Sequence, residues 1–183
     1  TKILILIWPL IWLGLRFKLP QMAPPKNVKK SLFWGFFSGL GIIGIIYGVY
    51  WIWQDYFLQF TQPIAEKTED MGLLRKDYFI YFSVFLCFTH AFLEEFYWRL
   101  FIFRGLLSKF SPLWSAIISS AFFAGHHYIV LGQYFPLWIT VLFGTFVGVG
   151  GLIWCWLYYK TNTLWGIWIS HLLVDAIIMI IGY

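Results

Sequence analysis

The sequence predicts an all-α membrane protein, a polytopic helical bundle of about six transmembrane helices in one domain spanning residues 1–183. Three observations predict it. Hydrophobic residues make up 61% of the chain and charged residues 11%, against roughly 25% charged in soluble domains. Apolar stretches on the scale of a bilayer crossing, about 20 residues, recur along the whole length, and mean hydropathy is +0.75. Basic residues alternate between successive connections, as the positive-inside rule asks of a multi-pass chain. The net charge of +5 comes from such connections. It is no nucleic-acid signal, and the expected surroundings are the lipid bilayer.

Residues 3–17 form the first segment. It is short for a span and contains Pro9. It has the apolar character of a signal peptide's centre but no small-x-small cleavage site, so it reads as a membrane segment. The chain starts at Thr1, not Met, which predicts a processed or truncated start. A basic linker to Lys30 follows, broken by Pro20, Pro24 and Pro25. Segment two covers 31–53, and its glycines, from Gly35 and Gly39 to Gly48, include the small-xxx-small spacing that lets helices approach closely. Residues 54–77 are the longest polar connection, with a short interfacial helix expected over 64–74.

Segment three covers 78–107. Ser111 and Pro112 start segment four, which runs to 131; proline fits the first helical position because its missing N–H has no partner there anyway. Gly132, Gln133 and Tyr134 turn the chain into segment five, 135–159, where Gly144 and Gly148 repeat the close-packing spacing. Residues 160–163 turn it into segment six, 164–181. The linker after segment one holds Arg16, Lys18, Lys26, Lys29 and Lys30; Arg104 and Lys109 follow segment three, and Lys160 follows segment five. The linker after segment two is net acidic. Six spans with both termini outside satisfy this alternation. Cys87 and Cys155 fall within apolar spans and read as small buried hydrophobes.

Segment three contains an energetic anomaly. Between Thr89 and Arg99 it carries His90, Glu94, Glu95 and Arg99 in an apolar run. An ionised side chain at mid-membrane costs roughly 2.5–3.5 kcal/mol, so two Glu and one Arg facing lipid would cost about 8–10 kcal/mol. They must face protein, water or one another. All four histidines, His90, His126, His127 and His171, lie in predicted spans, as does Asp175. Helical spacing sorts these residues. His90 shares a face with Glu94, Glu95 with Arg99, and His171 with Asp175, each pair four residues apart. Glu95 and Arg99 neutralise one another, which makes Arg99 a structural partner. Glu94, about 100° around the helix, is the spare carboxylate, suited to general acid–base work. Asp175 has the spacing to orient the His171 imidazole. His126 and His127 also diverge by about 100°, so only one need face the others.

Each feature alone has a plain structural reading: a buried ion pair, a satisfied core histidine, aromatic packing. Two spans bearing His and a third bearing Glu-Glu are harder to attribute to scaffold alone. No H-E-x-x-H or C-x-x-C occurs, so the sequence carries no ordinary zinc motif. A Glu-His-His set drawn from three helices can bind a divalent metal such as zinc or activate a water without one.

Three motifs stand in order on three spans: E-E-x-x-x-R over residues 94–99, F-x-x-x-H over 123–127 with 122–126 as a competing register, and H-x-x-x-[N/D] over 171–175. Over about residues 78–182 the chain resembles the CAAX-protease and bacteriocin-processing (CPBP, also called Abi) family of intramembrane proteases. The resemblance implies an endopeptidase that hydrolyses a peptide bond of a membrane-embedded or lipidated peptide or protein, in a prokaryotic cell (inner) membrane. It implies catalytic residues Glu94, Glu95, His127, His171 and Asp175, with His90 and His126 as possible additions. Glu94 and the motif histidines activate water. No cofactor is expected, and if a metal is used, Glu94, His127 and His171 are its ligands. Asp175 stands where the prenyl proteases have Asn; an ionised Asp cannot donate a hydrogen bond, so it is either protonated near the oxyanion or an orienter of His171. The alternatives are a proton-coupled membrane transporter, since intramembrane Glu, His and Asp also build proton relays, or a non-catalytic bacteriocin-immunity protein.

Overall fold

The computed structural model describes residues 26–70, 72 and 75–182. The expected first segment and most of the basic linker lie outside them. Every element among the described residues is helical.

Helix α1, Val28–Phe57, begins where the Asn27 side chain accepts a hydrogen bond from the Lys30 backbone N–H at 2.8 Å, an N-cap. It bends at Trp53 and continues through a 3-10 turn, Leu58–Phe60. Helix α2, Thr61–Asp70, occupies the expected interfacial stretch but starts and ends earlier than the sequence suggested. Helix α3 runs from Lys76 to Leu106. Helix α4, Pro112–Leu131, is capped by Ser111 and carries its proline in the first turn, as expected. Helix α5, Leu137–Thr161, ends on Asn162, whose φ of 53° is left-handed. Helix α6 is Trp165–Ile181. By length and composition α1 with its 3-10 turn, α3 and α5 are long enough to cross a membrane; α6 is apolar but shorter.

The helices meet where small residues allow it. Gly35 of α1 lies against the backbone of Gly166 of α6, with no room for a Cβ on either, and the Gly166 N–H donates to the buried Ser31 hydroxyl at 3.2 Å. The Tyr128 ring of α4 lies on Gly144 of α5. Trp98 and Phe103 of α3, Phe123 of α4, Trp154 and Leu157 of α5 and Ile167 of α6 form the core. Around it, Phe33, Trp51, Ile52, Ile129, Leu137 and Ile180 point outward, a surface unsuited to water and suited to lipid. Cys87 and Cys155 are free and buried.

One rim joins the three basic connections. The Lys26 N–H donates to Thr161 O at 3.0 Å, and Arg104 Nη1 donates to Tyr158 Oη at 3.2 Å and Asn162 Oδ1 at 3.1 Å. The start of α1, the end of α3 and the end of α5 therefore lie together, as charge alternation requires.

Helix α3 is not uniform. A short α-helical stretch, Ala91–Glu95, is bracketed by two π-helical ones, Phe85–His90 and Phe96–Phe103. Such widenings recur at functional sites. Each offers a carbonyl to a neighbour: Phe88 O accepts from Trp168 Nε1 of α6 at 2.9 Å, and Trp98 O accepts from Ser119 Oγ of α4 at 3.1 Å.

Candidate active site

The stretch between the two widenings holds both carboxylates. Glu94 and Glu95 are 1% and 0% exposed and Arg99 is 1% exposed, so the charges of α3 turn away from lipid as the energetic argument demands. Their surroundings differ. Glu95 Oε2 lies 3.1 Å from Arg99 Nε, the expected pair. Its other oxygen, Oε1, accepts a hydrogen bond from His171 Nδ1 of α6 at 2.7 Å. The Arg99 guanidinium stands over the faces of Phe123 and Trp154 at 4.7 and 5.1 Å, where the ring quadrupoles favour a cation.

Glu94 lies among imidazoles. Its Oε1 is 3.2 Å from His90 Nε2 and 3.5 Å from His126 Nε2, and its Oε2 is 3.9 Å from His171 Nε2. These are approaches in distance only: Glu94 Oε1 and His90 Nε2 are buried and make no aligned hydrogen bond. Three helices thus bring four groups to one point.

Three placements bear on the expected site residues. Of the adjacent histidines, His126 Nε2 is 3.5 Å from Glu94 Oε1, and His127 Nδ1 lies 2.9 Å from Phe123 O, one turn back on α4. The competing register, Phe122 to His126, is the one that faces the carboxylate. Glu95, from a different helix, accepts from His171 Nδ1 at 2.7 Å, and Asp175 Oδ1 is 3.6 Å from His171 Nε2. His90, which belongs to none of the three motifs, is nearest to Glu94. Its spacing of four residues was the available signal.

Residues 76–177 match the family model described as type II CAAX prenyl endopeptidase Rce1-like, more than half of the chain. The chain belongs to the Rce1-like type II CAAX prenyl endopeptidase family. The resemblance drawn from the three motifs therefore holds at the family level, and membership implies protease activity in an integral membrane protein. No curated protein and no solved structure matches the chain.

The Rce1-like region starts at the first residue of α3 and ends within α6, so it contains every site residue named above and excludes α1. Aromatic rings fix the histidines within it. His171 stacks on Trp154 with centroids 4.5 Å apart, and His126 lies parallel to Trp98 at 6.2 Å. Trp154 is held in turn: its Nε1 donates to the buried Ser170 Oγ at 2.9 Å, and Ser38 Oγ of α1 donates to the same oxygen at 3.1 Å. A helix outside the matched region thus supports the ring beneath His171. Trp154 and Ser170 carry no motif, and nothing in their local sequence pointed to this role. Among the described residues no group of three His, Cys, Asp or Glu side chains has the arrangement to hold a metal ion, and no step below is routed through a metal.

Proposed function

We propose that this chain hydrolyses a peptide bond near the C-terminus of a membrane-associated, prenylated protein with a water activated by Glu94. The observation that carries the reading is Glu94 itself: a carboxylate 1% exposed, not paired with Arg99, and facing imidazole nitrogens of three helices within 3.9 Å. A base must lie within hydrogen-bond reach of the proton it takes, directly or through one water. A water against Glu94 Oε1 and His126 Nε2 meets that requirement.

Glu94 takes one proton from this water as its oxygen attacks the carbonyl carbon of the scissile bond. The carbonyl π electrons move to oxygen and give a tetrahedral oxyanion. His171, with Nδ1–H committed to Glu95, presents Nε2 to the same space and in its protonated form donates to that oxyanion. As the intermediate collapses, the C–N bond breaks and the proton on Glu94 passes to the leaving nitrogen. His90 and His126 hold the water and the carboxylate in place. Asp175 adds an acceptor on the far side of His171 Nε2. No cofactor enters the scheme.

The basic rim faces the cytoplasm of a prokaryotic cell on the positive-inside argument, and multi-pass insertion in the inner membrane follows. The test is cleavage of a prenylated peptide by the protein in liposomes, for the parent and Glu94→Gln, with and without a chelator. The reading expects a loss of about 10²–10⁴-fold for Glu94→Gln and no effect of the chelator. Parent-like activity of Glu94→Gln refutes the base; loss on chelation that zinc restores replaces the mechanism with a metal-dependent one.

A further inference from the structure

We propose that the basic rim holds the phosphodiester headgroup of an anionic phospholipid. The start of α1 and the ends of α3 and α5 enclose a cavity of about 320 Å³ lined by Lys26, Arg104, Ser108, Tyr158 and Asn162. It is separate from the site: none of its lining residues is among those gathered around Glu94, and Arg104 lies ten residues beyond Glu94 on α3.

The charge distribution calls for an anion here. The stretches that meet at this rim carry Lys26, Lys29, Lys30, Arg104, Lys109 and Lys160 and no Asp or Glu. Of the eight acidic residues of the chain, Glu94, Glu95 and Asp175 are in the site, and the other five lie between Asp55 and Asp77, toward the opposite ends of α1 and α3. Among the described residues no Asp or Glu side chain belongs to the stretches that form the rim.

The Arg104 guanidinium is held in place and Lys26 is tied to the same rim by its backbone. Asn162, in its left-handed conformation, and Tyr158 hold Arg104 Nη1 at 3.1 and 3.2 Å, which orients the guanidinium. The backbone of Lys26 is tied to Thr161 at 3.0 Å, which brings its ammonium to the same cavity. A planar guanidinium and a compact ammonium together suit the two charged oxygens of one phosphodiester. Leu107 and Tyr159 complete the lining with apolar surface for the glycerol end of a lipid. Basic pockets between helices on the cytoplasmic side are where such headgroups bind, and the leaflet supplies them. This inference stands whether or not Glu94 is the base.

The test places the full chain in phosphatidylcholine discs and titrates phosphatidylglycerol, reading bound lipid by native mass spectrometry and stability by thermal unfolding. Phosphatidylglycerol is expected to be retained and to raise the unfolding temperature. Lys26→Gln is expected to weaken its binding about five-fold, one charge's worth at a lipid surface. Lys109→Gln makes the same charge change outside the cavity lining and is expected to leave binding within two-fold. Equal weakening by the two variants would mean diffuse surface attraction and overturn the site. So would equal stabilisation by both lipids. Stabilisation by glycerol phosphate alone, in phosphatidylcholine, would overturn the lipid in favour of a soluble phosphate ester.

Discussion

Glu94 and Glu95 are consecutive, buried to the same degree and on the same turn of α3, yet their neighbourhoods have opposite character. Around Glu95 one oxygen accepts a hydrogen bond from His171 Nδ1 at 2.7 Å, and the other lies at ion-pair distance, 3.1 Å, from Arg99 Nε without an aligned hydrogen bond. Around Glu94 the neighbours are imidazole nitrogens at 3.2, 3.5 and 3.9 Å and no fixed cation. A carboxylate beside a buried guanidinium and hydrogen-bonded to an imidazole N–H organises a fold. A carboxylate surrounded by groups that change protonation can exchange a proton. One helical step of about 100° separates scaffold from chemistry.

The difference predicts that the two positions fail in different ways. Glu95→Ala leaves Arg99 buried without its carboxylate, and an unpaired buried charge costs about 3–5 kcal/mol. Unfolding of the variant in detergent should show a loss of that size, with activity falling alongside it. The histidines sharpen the same contrast. His126→Ala should lower kcat by roughly 10²-fold, the lower end of what a proton-handling group contributes. His127→Ala, whose ring is turned to Phe123, should change kcat by less than about ten-fold on the same view. A reversed order would return the water-holding role to His127. The smallest effect belongs to the outer support. Ser170→Ala removes the acceptor of Trp154 Nε1, and a buried donor left unsatisfied costs about 1–3 kcal/mol. Unfolding should shift accordingly, and kcat should drop a few-fold with KM unchanged, because Trp154 touches His171 and not the substrate.

Much of this is legible in the sequence. Apolar length and basic alternation place segments two to six within a few residues of the helices, because hydrocarbon thickness and backbone hydrogen bonding leave a chain few other solutions. The Glu95–Arg99 pair followed from spacing within one helix. What spacing cannot carry is the rotation of one helix against another. His126 and His127 are neighbours in sequence, and which one faces α3 depends on how α4 packs, with Tyr128 seated on Gly144. The bond from Glu95 to His171 joins residues 76 positions apart, so the intrahelical pair of His171 and Asp175 was the only orienter that spacing offered. The π-helical stretches of α3 carry no signal in the spacing, yet both four-residue pairs on that helix, His90 with Glu94 and Glu95 with Arg99, meet as expected. The Ser38–Ser170–Trp154 support runs through small and aromatic residues that elsewhere only pack.

Turnover of a prenylated peptide and thermal unfolding, measured side by side for Glu94→Gln and Glu95→Gln, test the division between the two carboxylates most directly. The account predicts that Glu94→Gln unfolds at the parent temperature and has lost turnover by at least about 10²-fold, while Glu95→Gln unfolds at a clearly lower temperature. A Glu94→Gln protein that turns over like the parent, or that loses stability as Glu95→Gln does, would contradict it.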